Sequence, residues 1–158
     1  MFVCVGIFYN HESPRRTEAY VTRKITRSVA KIKGNLQEKL VLGDLTALLD
    51  WGYSKEYMEA AWQIMQLEAP DTFVIGTGEV HTVKEFVNEA FAYAGLDPEE
   101  YVESSQQFFR PAQNSILRAD ISKARDAFNF NPKVKFKELV AIMMEHDLND
   151  LNVKRDGS

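Results

Sequence analysis

An uninterrupted apolar run at the start of the chain constrains the fold more than any other feature. Apart from one glycine, residues 2–9 are all apolar or aromatic, and Val and Ile are among them. Such a run is typical of a strand buried on both faces of a parallel sheet, which occurs in α/β proteins. A second buried strand is predicted over 72–76. Two such strands do not make a self-sufficient sheet, so residues 2–9 are expected to form an edge with no partner within this chain.

Apolar residues at helical spacing predict the helices that cover this sheet. The longer helices are expected over 22–33, 54–67, 82–94 and 136–148, with a short helix over 122–128 and a short strand over 40–42. Residues 97–121 are predicted to be irregular loop with a short strand. The fold class is therefore α/β.

Residue types at the ends and inner faces of these helices sharpen the prediction. Thr22 and Ser122 are predicted N-caps, and Thr82 and Glu85 a capping box. The inner face of helix 54–67 is predicted to carry Tyr57, Met58, Ala61, Trp62 and Met65. Both tryptophans, Trp51 and Trp62, are expected in the core.

Composition excludes several classes of protein. Hydrophobic residues make up 45% and charged residues 27%, as in soluble globular domains. We therefore expect one folded unit over 1–150, a disordered tail over 151–158, and a cytoplasmic location. The longest apolar run is too short to cross a membrane, and no signal-peptide pattern is present. Cys4 is the only cysteine, and the three histidines are widely separated, so neither a disulfide nor a metal site is predicted.

Positive charge concentrates in one segment of an otherwise acidic chain. Residues 10–39 hold eight Lys/Arg against three acidic residues, whereas the whole chain carries a net charge of −4. This pattern favours one anion site over a nucleic-acid surface, although a solvated helix face explains the charge equally well. The segment leaves the carboxyl end of the first strand and enters a helix, where the helix N-terminus attracts anions. Arg15, Arg16, Arg23 and Lys24 would supply the cations for a diphosphate.

Two runs in this segment have a recognisable pattern. Asn-His-Glu-Ser-Pro-Arg-Arg over 10–16 and Val-Thr-Arg-Lys-Ile-Thr over 21–26 resemble the GDP-mannose 4,6-dehydratases, which are lyases of the extended short-chain dehydrogenase/reductase family. Further matches follow in order: Leu42-Gly43, residues 50–53, residues 73–75, residues 77–79 and Arg110-Pro111. The resemblance covers residues 2 to about 148.

The resemblance implies a fold and a site. The chain would be the C-terminal part of an extended short-chain dehydrogenase (Rossmann-like) fold, with the final sheet strands and a helical substrate-binding region. The N-terminal dinucleotide-binding part would be absent. The family uses NADP, whose site would include His11 and Arg16. The GDP-sugar, GDP-mannose, would contact Asn10, Val21, Lys24, Gly43 and Arg110.

The same resemblance implies that this chain holds no catalytic residue. In the family, a Tyr-x-x-x-Lys pair lies on a helix before the strand that corresponds to residues 2–9. No Gly-x-x-Gly-x-x-Gly loop is present either. We therefore expect the isolated chain to be inactive. It would act beside a complementing N-terminal half, or as a homo-oligomer paired through the sheet edge.

Three departures from the family pattern keep a second interpretation open. Leu49 stands where the family has an arginine facing the diphosphate, Gln113 stands in place of a glutamate, and Thr17 replaces a glycine. The alternative is a non-catalytic remnant or a partner-binding module without nucleotide-sugar affinity. In that case Asn10 would cap a turn, and Lys24 would be a solvated helix lysine.

Overall fold

A computed structural model describes residues 1–105 and 117–156. The strands are β1 (Val5–Phe8), β2 (Asn10–Glu12), β3 (Leu40–Leu42), β4 (Leu48–Leu49), β5 (Trp51–Tyr53), β6 (Thr72–Ile75), β7 (His81–Thr82) and β8 (Val102–Ser104). The helices are α1 (Val21–Lys33), α2 (Ser54–Ile64), α3 (Val83–Ala94), α4 (Pro98–Tyr101), α5 (Ser122–Phe128) and α6 (Phe136–Asp156). The mixed α/β class expected from the sequence is confirmed.

The strands of the described residues pair two by two. Three pairs are parallel, β1 with β6, β2 with β5 and β3 with β8, and β4 runs antiparallel to β7. The expectation that the first strand has no partner within the chain is therefore wrong. Several of these short strands lie in segments where no strand is predicted, because two or three paired residues leave no periodic signal in a sequence.

The strand β1 is shorter and far more exposed than its apolar sequence predicts. Val5 is 48% exposed and Ile7 50% exposed, and both share a face with the β6 residues they pair with, Thr72 and Val74. The opposite face, which carries Phe8 and Ile75, packs against α2 and α5. Within the described residues β1 has one neighbouring strand and one covered face, so the predicted two-sided burial is wrong.

Two hydrophobic clusters hold the described residues together. The larger one joins α1, α3 and α6 to β3 and Trp51, and its fully buried side chains include Ile25, Phe86, Phe91 and Met143. The smaller one joins α2 and α5 to β6 through Tyr57, Phe73 and Ala124. The strand β1 thus packs in the smaller cluster and α1 in the larger one, and the loop between β2 and α1 lies between them in the chain.

Helix ends agree with the sequence in one case and differ in two. The capping box of Thr82 and Glu85 is present at α3, as predicted. Helix α1 begins at Val21 without a side-chain cap, and Thr22 lies inside it, where its hydroxyl donates to Glu12. Ser122 is the first residue of α5 rather than its cap.

The helix α2 buries a narrower face than predicted. Tyr57, Ala60 and Ile64 are buried, whereas Met58, Trp62 and Met65 are each more than half exposed. The prediction for the latter three is wrong because α2 packs against one layer only, so a second apolar stripe stays at the surface. Trp51, in contrast, lies in the core as expected.

The last helix extends past its predicted end at residue 148. It continues to Asp156, so residues 151–156 are helical where a disordered tail is expected, and 157–158 lie outside the described residues. No glycine or proline interrupts residues 136–156, and Arg27 of α1 binds Asp150 at 2.5 Å. Among the helices of the described residues, none has the length and apolar character needed to cross a membrane.

Candidate functional site

The candidate site begins at β2, which follows β1 after one residue. Asn10 donates from Nδ2 to the carbonyl of Asp50 at 3.4 Å, which ties β2 to the neighbouring β5. The Nδ1–H of His11 donates to the carbonyl of Tyr9 at 2.9 Å. Since a carbonyl can only accept, Nε2 is the acceptor nitrogen of the neutral His11 ring. Both predicted site residues are thus oriented by backbone contacts.

Beneath His11, the strand pair β2–β5 is packed on an aromatic side chain. The rings of His11 and Tyr57 lie 5.4 Å apart. Gly52, which pairs with His11, makes this approach possible, since a Cβ there would fall 2.4 Å from the Tyr57 ring and hydroxyl. Burial, with the nearby carboxylate of Asp50, raises the pKa of Tyr57 well above its usual value. Tyr57 therefore stays neutral and supports His11 from below.

Glu12 is a buried carboxylate at the base of the loop. Its side chain is 2% exposed, and it accepts a hydrogen bond of 2.7 Å from the Thr22 hydroxyl. Arg16 Nε lies 3.5 Å from the same carboxylate oxygen. Burial raises the pKa of Glu12, while the Thr22 bond and the Arg16 charge oppose that rise. Glu12 therefore joins the loop to the first turn of α1.

Arg16 lies over an aromatic ring rather than extending into solvent. Its guanidinium carbon lies 3.4 Å from the centre of the Tyr20 ring, a cation–π arrangement. Arg16 N–H donates to the Ser13 carbonyl at 3.0 Å, which closes the turn. Arg15 is exposed at the outside of the loop. Of the two adjacent arginines, only Arg16 is fixed by the contacts described.

Arg23, predicted as a cation for a diphosphate, is turned inward. It is 6% exposed, and its Nη1 forms an ion pair with Asp147 of α6, which is fully buried. Its Nε donates to the Arg16 carbonyl at 3.2 Å. A buried guanidinium already bonded to a carboxylate is not available to a ligand, so this part of the anion-site prediction is wrong.

Lys24 reaches from α1 to β3, and Gly43 directly follows this strand in the chain. Lys24 Nζ donates to the carbonyl of Val41 at 2.7 Å, so the ammonium lies two residues from Gly43 along the chain. The Gly43 carbonyl accepts from the Ser104 hydroxyl at 3.3 Å. Val21, at the start of α1, packs against the larger hydrophobic cluster. Three predicted substrate contacts, Val21, Lys24 and Gly43, thus lie around the first turn of α1 and the β3 end.

Tyr20 and Lys24 have Tyr-x-x-x-Lys spacing, so the expectation that the chain lacks this pattern is wrong. Their side chains have different partners. The Tyr20 ring lies under the Arg16 guanidinium, and Lys24 binds the carbonyl of Val41. Tyr20 also precedes the helix instead of lying on it. The spacing alone therefore does not define a catalytic pair.

The remaining predicted positions are less informative. Leu49 is partly buried and packs against the larger hydrophobic cluster, and its backbone pairs with His81. Arg110 and Gln113 lie outside the described residues. Among the residues that the structure describes, no group of three or more His, Cys, Asp or Glu side chains could hold a metal ion.

Asp50 is a structural centre that the sequence analysis did not single out. Its buried carboxylate accepts from Thr77 N at 2.9 Å, Thr77 Oγ1 at 2.6 Å, Gly78 N at 2.9 Å and Ala119 N at 3.2 Å. It thereby joins β5, the loop after β6 and the segment before α5. A charged residue inside an apolar Leu-Leu-Asp-Trp run was the available signal.

Two solved structures share this fold over nearly the whole chain. The structure of RMD from Pseudomonas aeruginosa complexed with NADPH matches with a TM-score of 0.85 at 19% identity, over 94% of this chain and 49% of that chain. A dTDP-glucose 4,6-dehydratase from Bacillus anthracis in complex with NAD matches with a TM-score of 0.78 at 16% identity, over 96% of this chain and 46% of that chain. The fold is therefore that of the extended short-chain dehydrogenases/reductases, and identities this low carry only the fold.

Sequence comparison narrows this class to one family. The family model described as GDP-mannose 4,6 dehydratase matches residues 1–143. GDP-mannose 4,6 dehydratase 2 of Arabidopsis thaliana is 49% identical over 148 residues, which cover 94% of this chain and 40% of the relative. The human GDP-mannose 4,6 dehydratase is 40% identical over 165 residues, covering 94% and 44%. This chain belongs to the GDP-mannose 4,6-dehydratase family, and it spans less than half the length of these relatives.

Proposed function

We propose that this chain is the GDP-sugar-binding part of a GDP-mannose 4,6-dehydratase, a lyase of GDP-deoxysugar formation, and that it has no turnover by itself. The sugar nucleotide would lie between the β2–α1 loop and the end of β3, in contact with Asn10, Val21, Lys24 and Gly43. Arg110 is proposed as a further contact, on the strength of the family pattern.

The observation that carries this proposal is the position of the Lys24 ammonium. Its bond of 2.7 Å to the Val41 carbonyl puts one cation against the parallel strand β3, one residue before its last residue, beside the first turn of α1. Helix α1 has no side-chain cap and no acidic residue in its first turn. Backbone N–H groups and a lysine at one helix start favour a phosphate. A diphosphate placed there would accept hydrogen bonds from the backbone N–H groups and from the Lys24 ammonium.

The residues at the loop also fit a nicotinamide cofactor, NADP in our proposal. Arg16 Nε is buried and makes no hydrogen bond in the described structure, although it faces Glu12 at 3.5 Å. Because 24% of the Arg16 side chain is exposed, its guanidinium retains donors for an anionic group, and the acceptor Nε2 of His11 lies on β2, directly before the loop. The cofactor would supply hydride transfer, while Arg16 and His11 would bind and orient it.

A titration with GDP tests the sugar-nucleotide site. Wild type is expected to bind GDP with millimolar affinity, about −4 kcal/mol, because the contacts are few. Lys24→Ala should weaken binding, since a charge-assisted hydrogen bond of about 1.5–3 kcal/mol is lost. Leu49→Arg should tighten binding by about one to two powers of ten, because a hydrogen bond of the same kind is gained. Leu48→Arg is the matched control, because it adds the same charge to the same strand on its other face.

Calorimetry or NMR shift mapping measures these affinities. Equal affinity of wild type, Lys24→Ala and Leu49→Arg would refute this location of the site, as would an equal gain in Leu48→Arg. Incubation with GDP-mannose and NADP should give no 4-keto product above background. Turnover by the purified chain would contradict the proposed lack of activity.

A partner-binding role is the second candidate, and the exposed face of β1 favours it. Half-exposed Val5 and Ile7 lie on a strand with one neighbouring strand among the described residues. Open apolar edges pair readily with another strand. The proposed occupant is the parallel sheet of a complementing N-terminal half, with a second copy of this chain as the alternative.

Sedimentation distinguishes between the N-terminal half and a second copy of this chain as the partner. Self-association that Ile7→Lys abolishes would support a homo-oligomer. A monomer that binds a separately produced N-terminal half, with binding lost in Ile7→Lys, would support complementation. Thr72→Lys is the control for added charge at the neighbouring strand. Monomeric behaviour at all concentrations, with no binding to the N-terminal half, would refute the partner-binding role.

A further inference from the structure

We propose that Arg23 is a positioning residue that connects the last helix to the loop carrying Arg16, and so keeps that loop in its binding geometry. Its ligand-binding consequence rests on the function proposed above, whereas its effect on the loop does not. Arg23 lies in α1, Asp147 in α6, and the loop over residues 13–20 between β2 and α1.

The first step is the burial of the pair. Arg23 is 6% exposed and Asp147 fully buried, and the guanidinium Nη1 pairs with the carboxylate. Arg27 Nη1 lies 3.7 Å from the other oxygen of Asp147. A buried carboxylate between two guanidinium groups fixes their orientation, because moving either would leave a charge unpaired in the interior.

The second step is the other end of the Arg23 side chain. Nε donates to the carbonyl of Arg16 at 3.2 Å, in the middle of the loop. One planar guanidinium therefore bonds to a carboxylate of α6 and to the loop backbone at the same time. A rigid fork of donors can do this, whereas a lysine ammonium at the end of a flexible stem cannot.

The third step is that the position of the Arg16 carbonyl determines where the Arg16 side chain begins. The Arg16 side chain continues from that residue to the Tyr20 ring and to Glu12. Its backbone N–H closes the turn to Ser13. Fixing the carbonyl therefore fixes the starting point of the guanidinium that is proposed to face the cofactor. Arg23 acts through Arg16 and does not touch the ligand.

The conservative variant Arg23→Lys separates positioning from stability. The lysine keeps a cation beside Asp147 but loses the donor to the Arg16 carbonyl. We expect amide hydrogen exchange at Arg16 and Tyr20 to become about fivefold faster or more, the effect of losing one hydrogen bond. Exchange in α3 should stay as in wild type. Asp147→Asn should give the same acceleration, because the neutral amide holds Arg23 less firmly.

The matched control is Val140→Ala, which removes buried methyl groups from the same helix, α6, without touching the loop. It should lower stability and leave exchange at Arg16 and Tyr20 unchanged. Unchanged exchange at these two amides in Arg23→Lys would overturn the proposal. So would an equal acceleration in Val140→Ala, since that would reflect general loosening.

Titration with NADPH at a temperature where each variant is folded adds the functional arm. Arg23→Lys is expected to weaken binding about tenfold, and Val140→Ala to leave it unchanged. Binding equal to wild type in Arg23→Lys would overturn the link to the site. Should wild type bind no NADPH, the proposed cofactor function fails, and the exchange measurement alone decides the positioning role.

Discussion

Replacing Asp50 by asparagine tests the hydrogen-bond centre between β5, β6 and α5. One carboxylate oxygen accepts from Thr77 N and Thr77 Oγ1, and the other accepts from Gly78 N and Ala119 N. An asparagine can keep one pair of bonds, but its amide nitrogen then faces the donors of the other pair. If the amide nitrogen faces Gly78 and Ala119, two N–H groups lose their acceptor; if it faces Thr77, one N–H does, because the Thr77 hydroxyl can turn to accept. Each such loss costs about 1–3 kcal/mol.

The neutral amide also relieves part of the cost of burying a charge. We therefore expect Asp50→Asn to lower the free energy of unfolding by about 2–4 kcal/mol, within the range of large single-residue effects. With a urea dependence of about 2 kcal/mol/M, the midpoint shifts by about 1–2 M. Fluorescence of Trp51, which is buried next to Asp50, reports the transition.

Asp44 provides the matched control for this experiment. It accepts from Thr46 N at 2.8 Å and Thr46 Oγ1 at 2.6 Å, the same pattern as Asp50 with Thr77, but on the protein surface. Water can replace those bonds, so Asp44→Asn should change stability by less than about 1 kcal/mol. Equal midpoints for Asp50→Asn and Asp44→Asn would refute the reasoning that buried acceptors hold this junction together.

Three further substitutions test single features of the fold. Thr82→Ala should lower the free energy of unfolding by about 1 kcal/mol, because the α3 capping box is lost; an unchanged urea midpoint would contradict this. Gly76→Ala should cost about 1–3 kcal/mol, because its Cβ would lie 2.2 Å from that of Ala119, and thermal unfolding measures the loss. Burial raises the pKa of Glu12 above 4.5, so the folded state binds this proton more tightly than the unfolded chain does. Wild type should therefore lose stability relative to Glu12→Gln as the pH rises from about 4.5. A constant difference between urea midpoints at pH 4 and pH 7 would refute that prediction.

The sequence predicts a helix correctly where a capping signal and a single buried apolar face are both present. In α3, the capping box and the apolar residues at helical spacing agree with the structure. In α2 the spacing alone did not tell which of two apolar stripes is covered, and Trp62 proved exposed. The short strands β4 and β7 have two residues each, and their pairing depends on contacts more than thirty residues apart.

The candidate site followed from the sequence only in part, for an electrostatic reason. Counting cations over residues 10–39 treats Arg16, Arg23 and Lys24 alike. The structure distinguishes them by their partners: Arg16 lies over Tyr20, Arg23 is buried against Asp147, and Lys24 reaches β3. The partner of Arg23 is 124 residues away along the chain. Local charge patterns therefore predict where cations are, and only tertiary contacts decide which of them a ligand can reach.

The largest difference between sequence and structure concerns β1, and it has a physical meaning. Residues 2–9 have the composition of a strand covered on both faces, whereas the described residues cover one face and leave Val5 and Ile7 half exposed. An exposed apolar sheet face costs free energy in water, at about 25 cal/mol per Å². The α2 stripe of Met58, Trp62 and Met65 adds further exposed apolar area. Both surfaces carry apolar side chains of the kind found in protein interiors. Association that covers them should therefore stabilise the chain, and the denaturation midpoint should then rise with protein concentration.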